Sequence, residues 1–179
     1  MKPIISENCR IRHPDCFDVG DYSIIDDYCY FSTRVWIGKY SHIAMGCSVS
    51  GGKDRLFRLG DYCSLSAGVK IWCTSDDFKN DIVTIIPEGL SEIKDHIITG
   101  DVVMENFTAV GSNSVVMPNN TIPEGTVIGA LSFVPTGFDF KPWSVYAGVP
   151  IRFTSNRNKS NVMRQYEKIK KITNCGEVE

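Results

Sequence analysis

Long apolar runs are missing from the 179-residue sequence, and their absence excludes proteins with a membrane-spanning helix. A membrane-spanning helix needs about 18 or more consecutive apolar residues, and no run approaches that length. The first seven residues, Met1 to Glu7, contain no apolar stretch of the kind found in secretory signals. A basic excess is missing too, since the formal net charge is −2, which argues against a dedicated nucleic-acid-binding protein. We therefore expect a cytoplasmic globular protein without a membrane span and without a nucleic-acid partner.

Paired cysteine motifs are also absent, although the chain contains seven cysteines. No two of them form a C-x-x-C motif, and no Cys/His cluster has the spacing of a zinc site. An odd number excludes complete internal pairing, and the cytoplasm keeps thiols reduced. We expect free thiols that pack as small apolar side chains, and no metal site. The seven are Cys9, Cys16, Cys29, Cys47, Cys63, Cys73 and Cys175.

What the sequence does contain is a repeat with a period of six residues. An apolar anchor recurs at every sixth position in three runs. The anchors are Val19, Ile25, Phe31, Ile37, Ile43 and Val49, then Leu59, Leu65 and Ile71, then Ile98, Met104, Val110, Val116, Ile122, Ile128 and Val134. The residue four positions after each anchor is nearly always small or β-branched. Cys29, Cys47 and Cys63 belong to this column, so the repeat itself accounts for part of the cysteine content.

This period predicts an all-β solenoid. Three six-residue segments form one triangular coil, and each flat side is a short strand that pairs with the coils above and below. We expect residues 1–155 to form the β-helix domain and residues 156–179 to form a C-terminal helix and tail. Residues 160–173 have an amphipathic pattern that predicts one α-helix with Ser160 as its N-cap. This helix is placed to cap the open edge of the solenoid.

Two interruptions of the repeat indicate where function lies. Val49 and Leu59 are ten positions apart, so four extra residues bulge out around residues 51–54. The gap from Ile71 to Ile98 predicts a long loop at about residues 74–97, and long insertions in regular scaffolds are often functional. Residues 152–171 carry seven basic side chains against one acidic side chain. That stretch is either a solvated helix face or a phosphate-binding end.

The repeat, the long loop and the closing segment Tyr146-Ala147-Gly148-Val149-Pro150-Ile151-Arg152 resemble the hexapeptide-repeat acyltransferases. Several motifs resemble the branch that acylates the amino group of dTDP-4-amino-4,6-dideoxyglucose for cell-surface polysaccharides such as O-antigen and lipopolysaccharide. These motifs are Ser66-Ala67-Gly68-Val69-Lys70-Ile71, Asp76-Asp77-Phe78, Val127-Ile128-Gly129-Ala130-Leu131-Ser132 and Pro142-Trp143-Ser144-Val145-Tyr146.

The resemblance implies a left-handed β-helix, a homotrimer and a nucleotide-linked amino sugar as substrate. It implies acetyl-CoA or another acyl-CoA as co-substrate, bound in the groove between neighbouring solenoids, without a metal. The residues expected to bind CoA are Gly111, Ser112, Gly129, Ala130, Pro150 and Arg152. Turn formation is an alternative role for Gly111 and Gly129.

A catalytic histidine is missing from the start of the long loop, where many family members that act on hydroxyls carry one. A hydroxyl needs a base during attack, whereas a neutral amine attacks a thioester once it is held and aligned. Carboxylates suit that task because they accept hydrogen bonds from an amine. We expect Asp76, Asp77 and Glu105 to orient and deprotonate the amine. If the long loop leaves the coil at a corner without shifting the order of the three sides, Ser66 lies directly beneath Glu105. We expect Ser66 and Phe78 to bind the substrate.

Other functions remain open at this point. A sugar O-acetyltransferase would use His96 or a carboxylate as base. A γ-type carbonic anhydrase shares the solenoid, but His13, His42 and His96 do not have the spacing of its zinc site. A structural solenoid without activity is the non-enzymatic alternative, which the long loop and the Gly148-Val149-Pro150 ending disfavour. Asp76 and Asp77 could also be ordinary turn residues, and Glu105 a solvated side chain.

Overall fold

The computed structural model describes residues 1–82, 85–87, 89–93 and 95–174. It is a left-handed parallel β-helix of about seven turns with one α-helix at its C-terminal end, which confirms the predicted fold class. Within the described part of the chain, no helix is long and apolar enough to span a membrane.

Short strands stack into three flat faces, because each six-residue segment hydrogen-bonds to its equivalents in the next coils. The first face contains β1 (Ile4–Ile5), β4 (Ile24–Ile25), β6 (His42–Ile43), β8 (Ser64–Leu65), β13 (Ala109–Val110), β16 (Val127–Ile128), β18 (Ser144–Ala147) and β19 (Arg152–Asn156). The second face contains β2 (Arg10–Ile11), β9 (Lys70–Trp72), β14 (Val115–Val116) and β17 (Phe133–Val134). The third face contains β3 (Phe17–Val19), β12 (Val102–Met104) and β15 (Asn120–Ile122). Two long strands bend across from the second face to the third, namely β5 (Tyr30–Ile37) and β7 (Ser48–Leu59).

Three corners connect the faces. We call them the first corner (from the first face to the second), the second corner (from the second face to the third) and the third corner (from the third face back to the first).

The repeat anchors form the core, as predicted. Ile43 pairs with Ile25 on one side and with Leu65 on the other, and all three are buried. The small column is buried as well, apart from Ser75, and its cysteines Cys29, Cys47 and Cys63 are free thiols. Cys175 lies outside the described residues.

The assignment of Ile98 as an anchor is wrong. Met104 pairs with Leu59 in the third face, so the regular coil resumes at β12. Ile98 lies instead in β11 (Ile98–Thr99), which pairs antiparallel with β10 (Thr74–Ser75) in a separate two-stranded ribbon. Any apolar residue six positions before a true anchor fits the sequence pattern, whereas backbone pairing decides which residue continues the coil. The predicted loop therefore extends to Asp101.

An aromatic ladder lines the third corner. Its members all have positive φ and stack on one another along the solenoid with ring-centroid distances from 4.7 to 6.1 Å. They are Tyr22, Tyr40, Tyr62, Phe107 and Trp143. The C-terminal helix α1 (Lys159–Asn174) places Tyr166 edge-on against Tyr62 and Phe107, each at 5.2 Å. The amphipathic helix is thus confirmed, and it packs along a corner.

Three details of the C-terminal end differ from the predictions. The strand β18 is covered by β19, which pairs antiparallel with it at the end of the first face, so a strand rather than the helix closes that edge. Asn158 caps the helix, because its side-chain oxygen accepts a hydrogen bond from the N–H of Asn161 at 3.0 Å. Ser160 lies inside the helix and donates to Asn158. The boundary expected between residues 155 and 156 falls within β19.

Candidate functional site

Three interruptions of the repeat stack on one another at the second corner. A 3₁₀ turn at Pro14–Cys16 separates β2 from β3, the extra residues of β7 bulge out around residues 51–54, and the long loop leaves between Cys73 and Asp101. A solenoid can absorb extra residues only at a corner, because an insertion within a strand would turn its anchors outward. The second corner is therefore the first candidate for a ligand-facing region.

The two adjacent aspartates of the loop differ in their surroundings. Asp77 closes a turn: its carboxylate accepts from the side-chain amide of Asn80 at 2.6 Å and from the N–H of Lys79 at 2.9 Å. The amide contact with Asn80, followed by that backbone bond, holds the pKa of Asp77 below its usual range. Asp76 is half-buried at the base of the loop, and Phe78 projects from it with 76% of its surface exposed. Turn formation thus accounts for Asp77.

The predicted CoA-binding residues gather at the first corner. Gly111 and Gly129 follow the paired strands β13 and β16, so they lie in consecutive coils with Ser112 and Ala130 beside them. The N–H groups of Ser112 and Ala130 have no hydrogen-bond partner within the described ranges, so they can donate to a ligand. A Cβ at Gly111 would lie 2.4 Å from the backbone nitrogen of Ala130, so close stacking of the coils also requires a glycine here.

Ser66 lies in the same corner, one coil before Gly111. Its backbone N–H donates to the carbonyl of Val110, and its own carbonyl accepts from the thiol of Cys47 at 3.2 Å. Pro150 lies between β18 and β19, Arg152 is the first residue of β19, and both are exposed. Ser66 and the six predicted CoA-binding residues therefore share one side of the solenoid.

Glu105 occupies the third corner, beside Gly60. Its carboxylate accepts from the backbone N–H of Glu124 at 2.9 Å and lines a groove of about 340 Å³ that also contains Arg58. The expectation that Ser66 lies beneath Glu105 is wrong, because it depended on Ile98 as an anchor. With the correct register, Gly111 is the neighbour of Ser66.

Within one chain, the predicted amine-binding groups are therefore separated. Ser66 lies at the first corner, Asp76 follows the second corner, and Glu105 lies at the third. The strand β9 on the second face runs between Ser66 and Asp76.

The cysteine of this region is buried, and two histidines, His42 and His96, each lie beside an aspartate. Cys73 is fully buried, and burial raises the pKa of its thiol to about 12, so it is not a nucleophile at neutral pH. His42 contacts Asp26 on the first face at 2.9 Å. His96 is exposed in the loop, with a ring nitrogen 3.7 Å from the carboxylate of Asp81. The described residues contain no group of three or more side chains that could hold a metal ion.

Two features were missed at the level of sequence. The spacing of eight between Ile11 and Val19 signals the interruption at Pro14–Cys16, which lies before Val19, the first predicted anchor. Arg157 was counted with the basic stretch, yet its guanidinium turns inward and donates to the carbonyls of Phe107 and Gly125. No sequence signal distinguishes it from the basic residues around it.

Comparison with known proteins identifies the class. No family model matches the chain. A dTDP-4-amino-4,6-dideoxy-D-glucose acyltransferase from Escherichia coli is 29% identical over 160 residues, which cover 87% of this chain and 79% of the relative. A chloramphenicol acetyltransferase from Agrobacterium fabrum is 24% identical over 143 residues, which cover 75% of this chain and 67% of the relative. The fold and these relatives define an acyltransferase.

The solved structures narrow the class further. The chain superposes on AntD, an N-acyltransferase from Bacillus cereus in complex with dTDP and 3-hydroxybutyryl-CoA, with a TM-score of 0.83 and 30% identity. The match covers 96% of this chain and 88% of AntD. The chain therefore belongs to the hexapeptide-repeat N-acyltransferases, and it is an enzyme.

Proposed function

We propose that the chain transfers an acyl group, acetyl in the first instance, from acyl-CoA to the 4-amino group of dTDP-4-amino-4,6-dideoxyglucose. The observation that most strongly supports this proposal is the similarity to AntD over nearly the whole chain. AntD was crystallised with this sugar nucleotide and CoA in a variant with one serine replaced. The product of this reaction suits cell-surface polysaccharides such as O-antigen and lipopolysaccharide, made from cytoplasmic precursors.

Asp76 is the carboxylate we assign to the amine. In other AntD variants an aspartate ten positions after that serine was replaced, and Ser66 and Asp76 have the same spacing here. Asp77 is held in a turn by its hydrogen bonds to Lys79 and Asn80. The assignment of Glu105 depended on having Ser66 beside it, and Ser66 lies at a different corner. The exposed ring of Phe78 is placed to contact the sugar beside Asp76.

The reaction needs little more than alignment and one proton acceptor. Asp76 accepts a proton from the ammonium group, and the neutral nitrogen attacks the thioester carbon. Asp76 releases this first proton to solvent and accepts the second nitrogen proton as the N–C bond forms and the C–S bond breaks. The departing CoA thiolate takes up that second proton, which leaves an amide, a CoA thiol and an ionised Asp76. The Ser66 carbonyl accepts a hydrogen bond from the amine and holds its lone pair toward the thioester.

We further propose that the site forms between copies in a homotrimer. In such an assembly the first corner of one chain, with Ser66 and the CoA-binding residues, faces the second corner of the next, with Asp76. This arrangement joins the two groups that one chain keeps apart. The free N–H groups of Ser112 and Ala130 support the first corner as the binding edge for the pantetheine amides, with Gly111 and Gly129 leaving room and Pro150 and Arg152 nearer the nucleotide.

The test is direct. The protein is incubated with acetyl-CoA and dTDP-linked sugars that carry either an amine or a hydroxyl at C4, and the products are identified by mass spectrometry. We expect acetylation of the amino sugar. Acetylation of the hydroxyl sugars alone would overturn the proposal in favour of a sugar O-acetyltransferase that uses His96 or a carboxylate as base.

Two matched variants test the site. Asp76→Asn should lower kcat by about 10²–10⁴-fold, the range for loss of a proton acceptor. Asp77→Asn should leave kcat near the wild-type value, because asparagine closes the same kind of turn. Equal activity of the two variants would refute the assignment of Asp76.

A further inference from the structure

An unassigned groove lies at the second corner, beside the loop that carries Asp76. It has a volume of about 470 Å³ and is open to solvent. Pockets of this size hold small organic ligands. The groove is lined by Arg12, His13, Ser32, Ser50, Gly51, Gly52 and Thr74.

The three interruptions of the repeat build this groove. Arg12 and His13 lead into the turn at Pro14–Cys16, the two glycines belong to the bulge of β7, and Thr74 opens the ribbon of the long loop. A Cβ at Gly51 would lie 2.5 Å from the Cβ of Cys73, so the bulge can pack this closely only with glycine. Thr74 fastens the loop to the bulge through its hydroxyl, which donates to the carbonyl of Gly51 at 3.1 Å.

The lining has the chemistry of an anion site. It combines a guanidinium, an imidazole and three hydroxyls, and none of the seven described lining residues is acidic. The nearby carboxylate of Asp15 is paired with Lys53 at 2.9 Å, which offsets its charge. Hydroxyl and guanidinium donors are the groups that bind phosphate oxygens in proteins.

Arg12 is available for such a ligand. The guanidinium is exposed, and its one hydrogen bond within the described ranges is a long one of 3.5 Å to the hydroxyl of Tyr30. At the same level, the hydroxyls of Ser32 and Ser50 lie 2.8 Å apart, in consecutive coils. Arginine, with five donors on a rigid fork, can therefore reorient toward an anion without breaking an ion pair.

We propose that this groove binds the diphosphate of the acceptor sugar nucleotide, with Arg12 as the principal contact. The inference rests on the proposed function and adds the group that determines the choice of a nucleotide-linked sugar. Thr74 and Asp76 are two residues apart, so their Cα atoms are separated by at most about 7 Å. A pyranose ring carries its 4-amino group and its anomeric phosphate at opposite ends. A diphosphate in the groove therefore directs the amine toward Asp76.

Kinetics with the two substrates varied separately test the assignment. Arg12→Gln should raise KM for the dTDP-amino sugar at least about tenfold, as expected for loss of a charge-assisted hydrogen bond. KM for acetyl-CoA and kcat should stay near the wild-type values, because a uniform binding contact is lost. Arg10→Gln is the matched control, since Arg10 is exposed in β2, two residues before Arg12, but does not line the groove. A rise in KM for acetyl-CoA instead would assign the groove to a CoA phosphate and overturn the proposal.

A binding measurement separates this inference from the proposed function. Calorimetric titration with dTDP alone should show binding that weakens at least about tenfold in Arg12→Gln and not in Arg10→Gln. If the wild type acetylates the amino sugar but both variants bind dTDP equally well, the groove assignment fails and the proposed function stands. If dTDP binds through Arg12 but the amino sugar is not acetylated, the groove stands and the proposed function fails.

Discussion

Arg157 fastens the C-terminal segment to the solenoid, and replacing it should cost more stability than any exposed basic residue of that segment. Its guanidinium donates to the carbonyls of Phe107 and Gly125, the second at 3.0 Å, and lies 5.9 Å from the ring centre of Trp143. Burial lowers the pKa of Arg157, yet an arginine stays charged in proteins.

The expected cost follows from these contacts. A hydrogen bond from a charged donor contributes about 1.5–3 kcal/mol. Arg157 is only half-buried, so solvent screens it, and water or the new glutamine recovers part of the loss. We therefore expect Arg157→Gln to cost about 3 kcal/mol. In a domain of this size each kcal/mol lowers Tm by about 2–4 °C, so the variant should melt about 6–12 °C below the wild type.

The assay is thermal unfolding followed by circular dichroism at one fixed protein concentration, because any association would make Tm depend on concentration. Arg164→Gln is the control, since Arg164 is exposed on α1 in the same C-terminal segment and binds only the side chain of Asn161 among the described residues. We expect the control to melt within about 2 °C of the wild type. An equal Tm for the two variants would show that the inward contacts of Arg157 contribute nothing, which would refute the reasoning.

Three further outcomes are expected. Gly111→Ala should lower Tm more than Gly129→Ala, because the added methyl would meet backbone atoms at 2.4 Å in the first case and the Cβ of Ala147 at 3.0 Å in the second; thermal melts of both compare them, and equal melting would contradict the crowding argument. Iodoacetamide at pH 8 should label Cys16 well before Cys73, whose pKa is raised by burial to about 12, and peptide mass spectrometry that found Cys73 labelled first would rule out the buried thiol. Asn158→Ala should destabilise the helix by about 1 kcal/mol, the usual cost of a lost N-cap, measured by urea unfolding against Asn161→Ala.

Much of the fold follows from the sequence, because the repeat expresses a purely local requirement. A side chain such as Ile43 must face inward between Ile25 and Leu65, and a side chain such as Cys47 must fit a tight corner. Both requirements recur every six residues, so the sequence pattern reveals them without any knowledge of which coils are in contact. The same regularity explains the error at Ile98. Within a loop, period alone cannot show whether an apolar residue pairs with a coil or with the other strand of a ribbon.

The candidate site was only partly predictable, and the reason is geometric. Residue types identified the carboxylates and the turn glycines, but their relative positions depend on a count of segments through the long loop. A change of one segment moves Glu105 from the neighbourhood of Ser66 to the neighbourhood of Gly60. The predicted amine cluster depended on that count. The relative position of Gly111 and Gly129 did not depend on counting six-residue segments across the loop, since both glycines follow the loop.

The position of an interruption carries more information than its length. Inserted residues must leave the solenoid at a corner, so each insertion marks one of only three places on the coil. Here the short turn at Pro14–Cys16, the bulge in β7 and the loop after Cys73 all mark the same corner. Independent insertions would spread over the three corners, whereas insertions that build one binding surface must coincide. Their stacking is thus an argument for a common ligand at the second corner, which the dTDP titration of Arg12→Gln tests without reference to turnover.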